Sequence, residues 1–152
     1  MNHRHRRLES RCSMRRVRLD DWNLMPGPIH EPPRSSVELY ESEEYPPRLV
    51  AEAILAFPGM RLVRPAEPTW YEWRAAWRDG DDQFEIDMSL YDVDPPLWGG
   101  TGVVGYCSVE AFVRFCRHVR ERLPGVWLHN SACEVHSPES FAAQVVSADD
   151  CG

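Results

Sequence analysis

Imidazole nitrogen and thiolate sulfur are atoms that zinc takes, and the octet HNSACEVH offers three side chains that carry them: His129, Cys133 and His136. A zinc site needs three or four such atoms converging at about 2.0 to 2.3 Å. Cys107, Cys116 and His118 are further candidates. Spacing alone does not gather them. If a strand ran on past Asn130, Cys133 and His136 would face opposite sides of it, and only a turn at Asn130-Ser131 would bring them together. Cys133 with His129 is also a thiol-imidazole pair, which acts as a nucleophile only in an electropositive setting. The chemistry this group would support is that of a small hydrolase or metal-binding enzyme, with zinc as the one cofactor its side chains suit. Against it, cysteine is among the most commonly buried residues, and Cys116 falls on the apolar stripe of a helix. The cluster is the alternative to a binding function, and no cofactor is expected.

The second chemically dense stretch is DGDDQFEIDMSLYDVD, in which seven of sixteen residues, 79 to 94, are acidic and none is basic. It is not a calcium loop, because it lacks the Asp/Asn rhythm with Gly at the sixth place and Glu at the twelfth. Glu85 and Asp87, two apart on a strand, project from one face and could form an acid and base pair, but such pairs work where burial separates their pKa values. Strand alternation turns Phe84, Ile86, Met88 and Leu90 inward and Glu85, Asp87 and Ser89 toward water. The carboxylates of Asp79, Asp81, Asp82, Glu85, Asp87, Asp92 and Asp94 then suit a docking face for a basic protein. Inhibitors and immunity-type proteins neutralise basic targets through such charge complementarity. Trp98, in a Gly-rich segment, is the candidate aromatic anchor. GTGVVG, residues 100 to 105, matches a nucleotide-loop string, but no strand precedes it and the next helix begins only at Ser108.

Composition narrows the partner. All seventeen basic residues are Arg, which removes the lysine of phosphate loops and Schiff-base enzymes. Residues 1 to 18 carry a balance of +6, residues 19 to 35 of −2 and residues 36 to 152 of −11. A body this acidic repels nucleic acid and anionic membrane and favours basic partners, so nucleic acid could meet only the Arg-rich tail. The five cysteines form no CxxC pair, and no secretory apolar segment is present. Free thiols and a cytoplasmic location follow as expectations. No apolar run reaches the eighteen or so residues of a membrane span.

The elements that must position these groups are read from periodicity and punctuation. Residues 1–35 are expected to be a disordered Arg/Pro-rich tail, with a mis-called start, the true one being Met14 or Met25, as the alternative for its first residues. Residues 36–148 are expected to form a single α+β domain, and 149–152 a frayed end. SVELYES alternates as a strand does. YPPRLVAEAILAFPG has a proline start, helical apolar spacing and a Pro-Gly stop. GMRLVRP is a short strand. TWYEWRAAWR fits both a capped helix and a strand, and the Asp79-Gly80 turn decides for a hairpin of 69 to 78 with 83 to 91. GVVGYC and VWLHN are strands. SVEAFVRFCRHVRERLPG is a helix capped by Ser108 with the stripe Val109, Phe112, Val113, Cys116, Val119 and Leu123. SPESFAAQVV closes as a helix behind Ser137 and Pro138. The expected fold is α+β: a mainly antiparallel sheet of about five to six strands with two or three helices on one face.

Overall fold

A computed structural model describes residues 15–29, 31–40, 44–64, 70, 72–91 and 97–148. Among these residues eight strands and three α-helices run in the order β1 (Arg16–Arg18), β2 (Trp22–Pro26), a 3-10 turn (Ser36–Tyr40), α1 (Pro47–Leu55), β3 (Arg61–Arg64), β4 (Arg74–Asp79), β5 (Asp82–Tyr91), β6 (Leu97–Ser108), α2 (Val109–Arg122), β7 (Val126–Asn130), β8 (Val135–His136) and α3 (Pro138–Ala148). The sheet order is β3-β4-β5-β6-β2-β7-β8, and β1 pairs with β6 beside β2. Every pairing is antiparallel. The architecture is α+β in one domain, with more strands than the sequence suggested.

The β4–β5 hairpin follows from its turn. Gly80 takes a positive φ of 61°, which glycine adopts without a Cβ penalty, and Asp79 pairs with Asp82 across it. That register fixes which side chains go inward. Trp77 faces Phe84 with ring centroids 5.2 Å apart, and Ala75 faces Ile86. Both Phe84 and Ile86 are buried, as the alternation requires. The helix α2 starts where β6 ends: the Ser108 hydroxyl accepts from the Ala111 amide at 3.2 Å. Its expected stripe is buried at every position from Val109 to Leu123, and packs with Phe57 of the α1 side and Phe141 of α3 against the sheet.

The N-terminal third corrects the sequence-based expectation. Residues 16–26 are not a tail, and the folded domain begins before Ser36. β2 lies between β6 and β7, so its backbone is bonded on both edges. Leu19, Trp22 and Leu24 enter the main core, while Met25 turns to the opposite face and packs with Leu39 and Trp127. A chain without residues 16–24 would leave β6 and β7 unpaired along the middle of the sheet. SVELY is a 3-10 turn rather than a strand: the Arg34 amide donates to Glu38 at 2.7 Å, which winds the segment and drops Leu39 onto Trp127. Residues 1–14 and 149–152 lie outside the described ones. Among the described residues no helix is long and apolar enough to cross a membrane.

Because Leu24 is an inner-strand core residue, Leu24→Ala is expected to destabilise the fold by about 2–5 kcal/mol in chemical denaturation. A passive N-terminal segment would give no change.

Candidate functional site

The three helices cover one face of the sheet. On the other face Leu39 covers the part made by β2 and β7, and among the described residues no helix packs over β3 to β6. Register sets the outward side chains of this open half in three rungs. One rung runs Arg74, Asp87, Gly102; the next runs Arg61, Ala76, Glu85, Val104; the third runs Arg78, Gln83, Tyr106, Arg18. Val104 is 51% exposed and Tyr106 47%, an unusual exposure for apolar side chains in mid-sheet. The face is therefore a mosaic of guanidinium, carboxylate and apolar groups.

The expected docking carboxylates do not all share that face: Glu85 and Asp87 project from it, Asp81 lies in the hairpin turn, and Asp79, one residue past the outward Arg78, lies on the helix side beside Phe57 and Arg114. Asp79, Asp81 and Glu85 are exposed, and among the described residues none of their carboxylates is in an ion pair. Asp82 is instead a structural hub. Its Oδ1 accepts from Arg16 Nη1 at 2.9 Å and from the Ser108 amide at 2.9 Å, and its Oδ2 from the Ser108 hydroxyl at 3.2 Å. Arg16 also donates to the Asp81 carbonyl at 2.9 Å and lies 4.6 Å from the centre of the Tyr106 ring. One carboxylate thus ties β1, the hairpin and the start of α2. Asp87 is held by Arg74 at 2.8 Å, and that bond raises the guanidinium pKa further. Glu85 and Asp87 consequently lack the burial that an acid and base pair needs. Asp92 and Asp94 lie outside the described residues.

Trp98 is not a surface anchor. It is 1% exposed, because β6 already begins at Leu97 and places it on the helix side. Its indole N–H donates to Thr101 Oγ1 at 2.8 Å. GTGVVG lies within the same strand, so it offers no helix N-terminus to a phosphate.

The residues of the HNSACEVH octet do not converge. Leu128 pairs with His136 and His129 with Val135, so the two imidazoles leave opposite faces of the sheet. His136 meets the edge of Trp22 at 5.7 Å, and its Nδ1 is 2.7 Å from the Ser140 hydroxyl. On the other face, burial pushes the His129 pKa down. Cys133 is exposed on the intervening turn at a φ of 63°. The turn is closed by Asn130, which donates to Glu134 Oε1 at 2.9 Å and accepts from its amide at 3.0 Å. Among the described residues no three His, Cys, Asp or Glu side chains are placed to hold a metal. Cys107 and Cys116 are buried free thiols; burial pushes Cys107 up to about 12 and Cys116 up as well, which makes both poor nucleophiles. His118 binds the Ala53 carbonyl at 3.0 Å and packs on Phe57, an α1–α2 contact rather than a ligand.

The sequence reasoning missed Arg61, Arg78, Val104 and Tyr106. The period of two that turns Glu85 outward applies equally to the strands beside it, and would have marked them. No protein-family model, no curated protein and no solved structure matches this chain.

Two solution tests follow. At about pH 8, close to an ordinary thiol pKa, maleimide is expected to modify Cys133 in the native protein and Cys107 and Cys116 only after unfolding, as read by peptide mass. Native-state labelling of Cys107 would contradict its burial. His129 and His118 both have pKa values lowered from 6.5, chiefly by burial. The unfolded chain therefore binds their protons more readily, so their contribution to stability is intact above about pH 6.5 and declines as pH falls through that value. Denaturation midpoints should drop from about pH 7 to pH 5.5, above the carboxylate range, and His129→Asn should flatten the slope.

Proposed function

We propose that this protein is a cytoplasmic binding module, of the inhibitor or immunity type, that docks a basic protein on the open half of its sheet. The observation that carries the proposal is the exposed Glu85, without an ion pair among the described residues, paired with the exposed Val104 and one rung from the exposed Tyr106, with the exposed Asp81 in the hairpin turn. Carboxylates outside any ion pair gain from a partner's arginines or lysines, and the apolar pair supplies area to exclude water. Asp82 and Asp87 support the surface from within rather than reaching for the partner. Arg61 and Arg78 on the same face require neutral or acidic groups opposite them. Such a mixed pattern gives selectivity among basic proteins more than affinity for all of them.

The immobilised protein should retain a basic protein at low salt and release it as salt rises. The retained protein, purified and bound again, should lose about tenfold or more in affinity to the doubly reversed Asp81→Arg, Glu85→Arg protein. Failure of any purified basic protein to bind again, or equal affinity for the reversed variant, would overturn the proposal.

A further inference from the structure

The open face contains a groove of about 310 Å³ whose walls include Arg61, Arg78, Gln83 and Glu85 and whose floor includes Ala76 and Gly105. Its shape follows from the strands. Ala76 is the short side chain between Arg74 and Arg78 on β4, and it is flanked across the sheet by Arg61 on β3 and Glu85 on β5. Strands lie about 4.8 Å apart, so the backbones carrying Arg61 and Glu85 stand about 10 Å apart with only a methyl group between them. Gly105, at a φ of 150°, ends the groove without a side chain; a Cβ there would collide with the Gln83 carbonyl and the Phe84 backbone. Among the described residues Arg61, Arg78 and Glu85 have neither an ion pair nor a side-chain hydrogen bond, whereas their neighbours Arg74 and Asp87 satisfy one another.

We infer that this groove binds a small zwitterion of the amino-acid class, its carboxylate between Arg61 and Arg78 and its ammonium against Glu85. Guanidinium groups match a carboxylate through paired N–H donors, and Glu85 supplies the opposite charge within the same groove. An anion alone meets repulsion from Glu85, and a cation alone meets two guanidiniums. The charges are solvent-exposed and screened, so the dissociation constant is on the order of millimolar.

Three probes with a four-carbon chain test this: γ-aminobutyrate with both charges, butyrate with the anion and butylamine with the cation. In titrations followed by amide NMR, γ-aminobutyrate should shift Ala76, Glu85 and Gly105 saturably, and the other two should bind about tenfold or more weakly. Arg61→Gln and Arg78→Gln should each weaken γ-aminobutyrate. Glu85→Gln should weaken it too, yet tighten butyrate, a reversal that loss of structure would not produce. Absence of a saturable shift with γ-aminobutyrate would overturn the inference. So would butyrate matching it in the wild-type protein with a ratio that Glu85→Gln leaves unchanged. These reagents contain no protein partner, so either result leaves the docking proposal to its own experiment.

Discussion

The backbone of β6 presents N–H and C=O groups along two edges, and the whole architecture is arranged to satisfy them. β5 bonds one edge over most of its length, while β2 and then β1 share the other. With both edges fixed, the pleat leaves no freedom over orientation: Thr101, Val103 and Cys107 turn toward the helices, and Gly102, Val104 and Tyr106 turn away. The same strand sets α2, because Ser108 is both its last residue and the cap of the helix. A slip of one residue would exchange the two faces, burying Tyr106 and Val104 and exposing the core.

Electrostatics then work in two layers. Asp82, accepting from Arg16 and Ser108, uses its charge to hold three elements together. Replacing it would leave Arg16 and the Ser108 amide short of an acceptor in a part-buried place, which costs more than the pair itself is worth. The outward charges differ. Arg61, Arg78 and Glu85 are not neutralised within the described residues, and the sheet holds them at fixed spacing on a rigid platform. Net acidity, read from composition, therefore describes the molecule poorly at the scale of a contact, where arginines and carboxylates alternate rung by rung.

Much of this was legible in the sequence where a period ran long enough to compete with noise. The helix stripe from Val109 to Leu123 and the alternation of Phe84 and Ile86 with Glu85 and Asp87 were both correctly placed, and the Asp79-Gly80 turn correctly favoured a hairpin. β1 and β2 were not legible. Three and five residues are too few to establish a period of two, and the surrounding arginines and prolines imitate a tail. Their structure comes from distant partners, β6 and β7, which no local window contains. The same holds for His129 and His136, whose separation onto opposite faces depends on the pairing of β7 with β8. Trp98 was misplaced because Gly99 and Gly100 suggested a loop, whereas the strand continues through them.

The place of β2 also constrains how the chain assembles during synthesis. β1 and β2 leave the ribosome long before α2 and β7, yet β2 can be enclosed only when β6 and β7 both exist. Until then its apolar side chains, Trp22, Leu24 and Met25, have no finished surface to join, and the early hairpin of β4 and β5 has only one neighbour in place. Closure of the sheet is thus a late, long-range event, which slows folding and prolongs the interval in which chaperones or other nascent chains can capture the exposed segment.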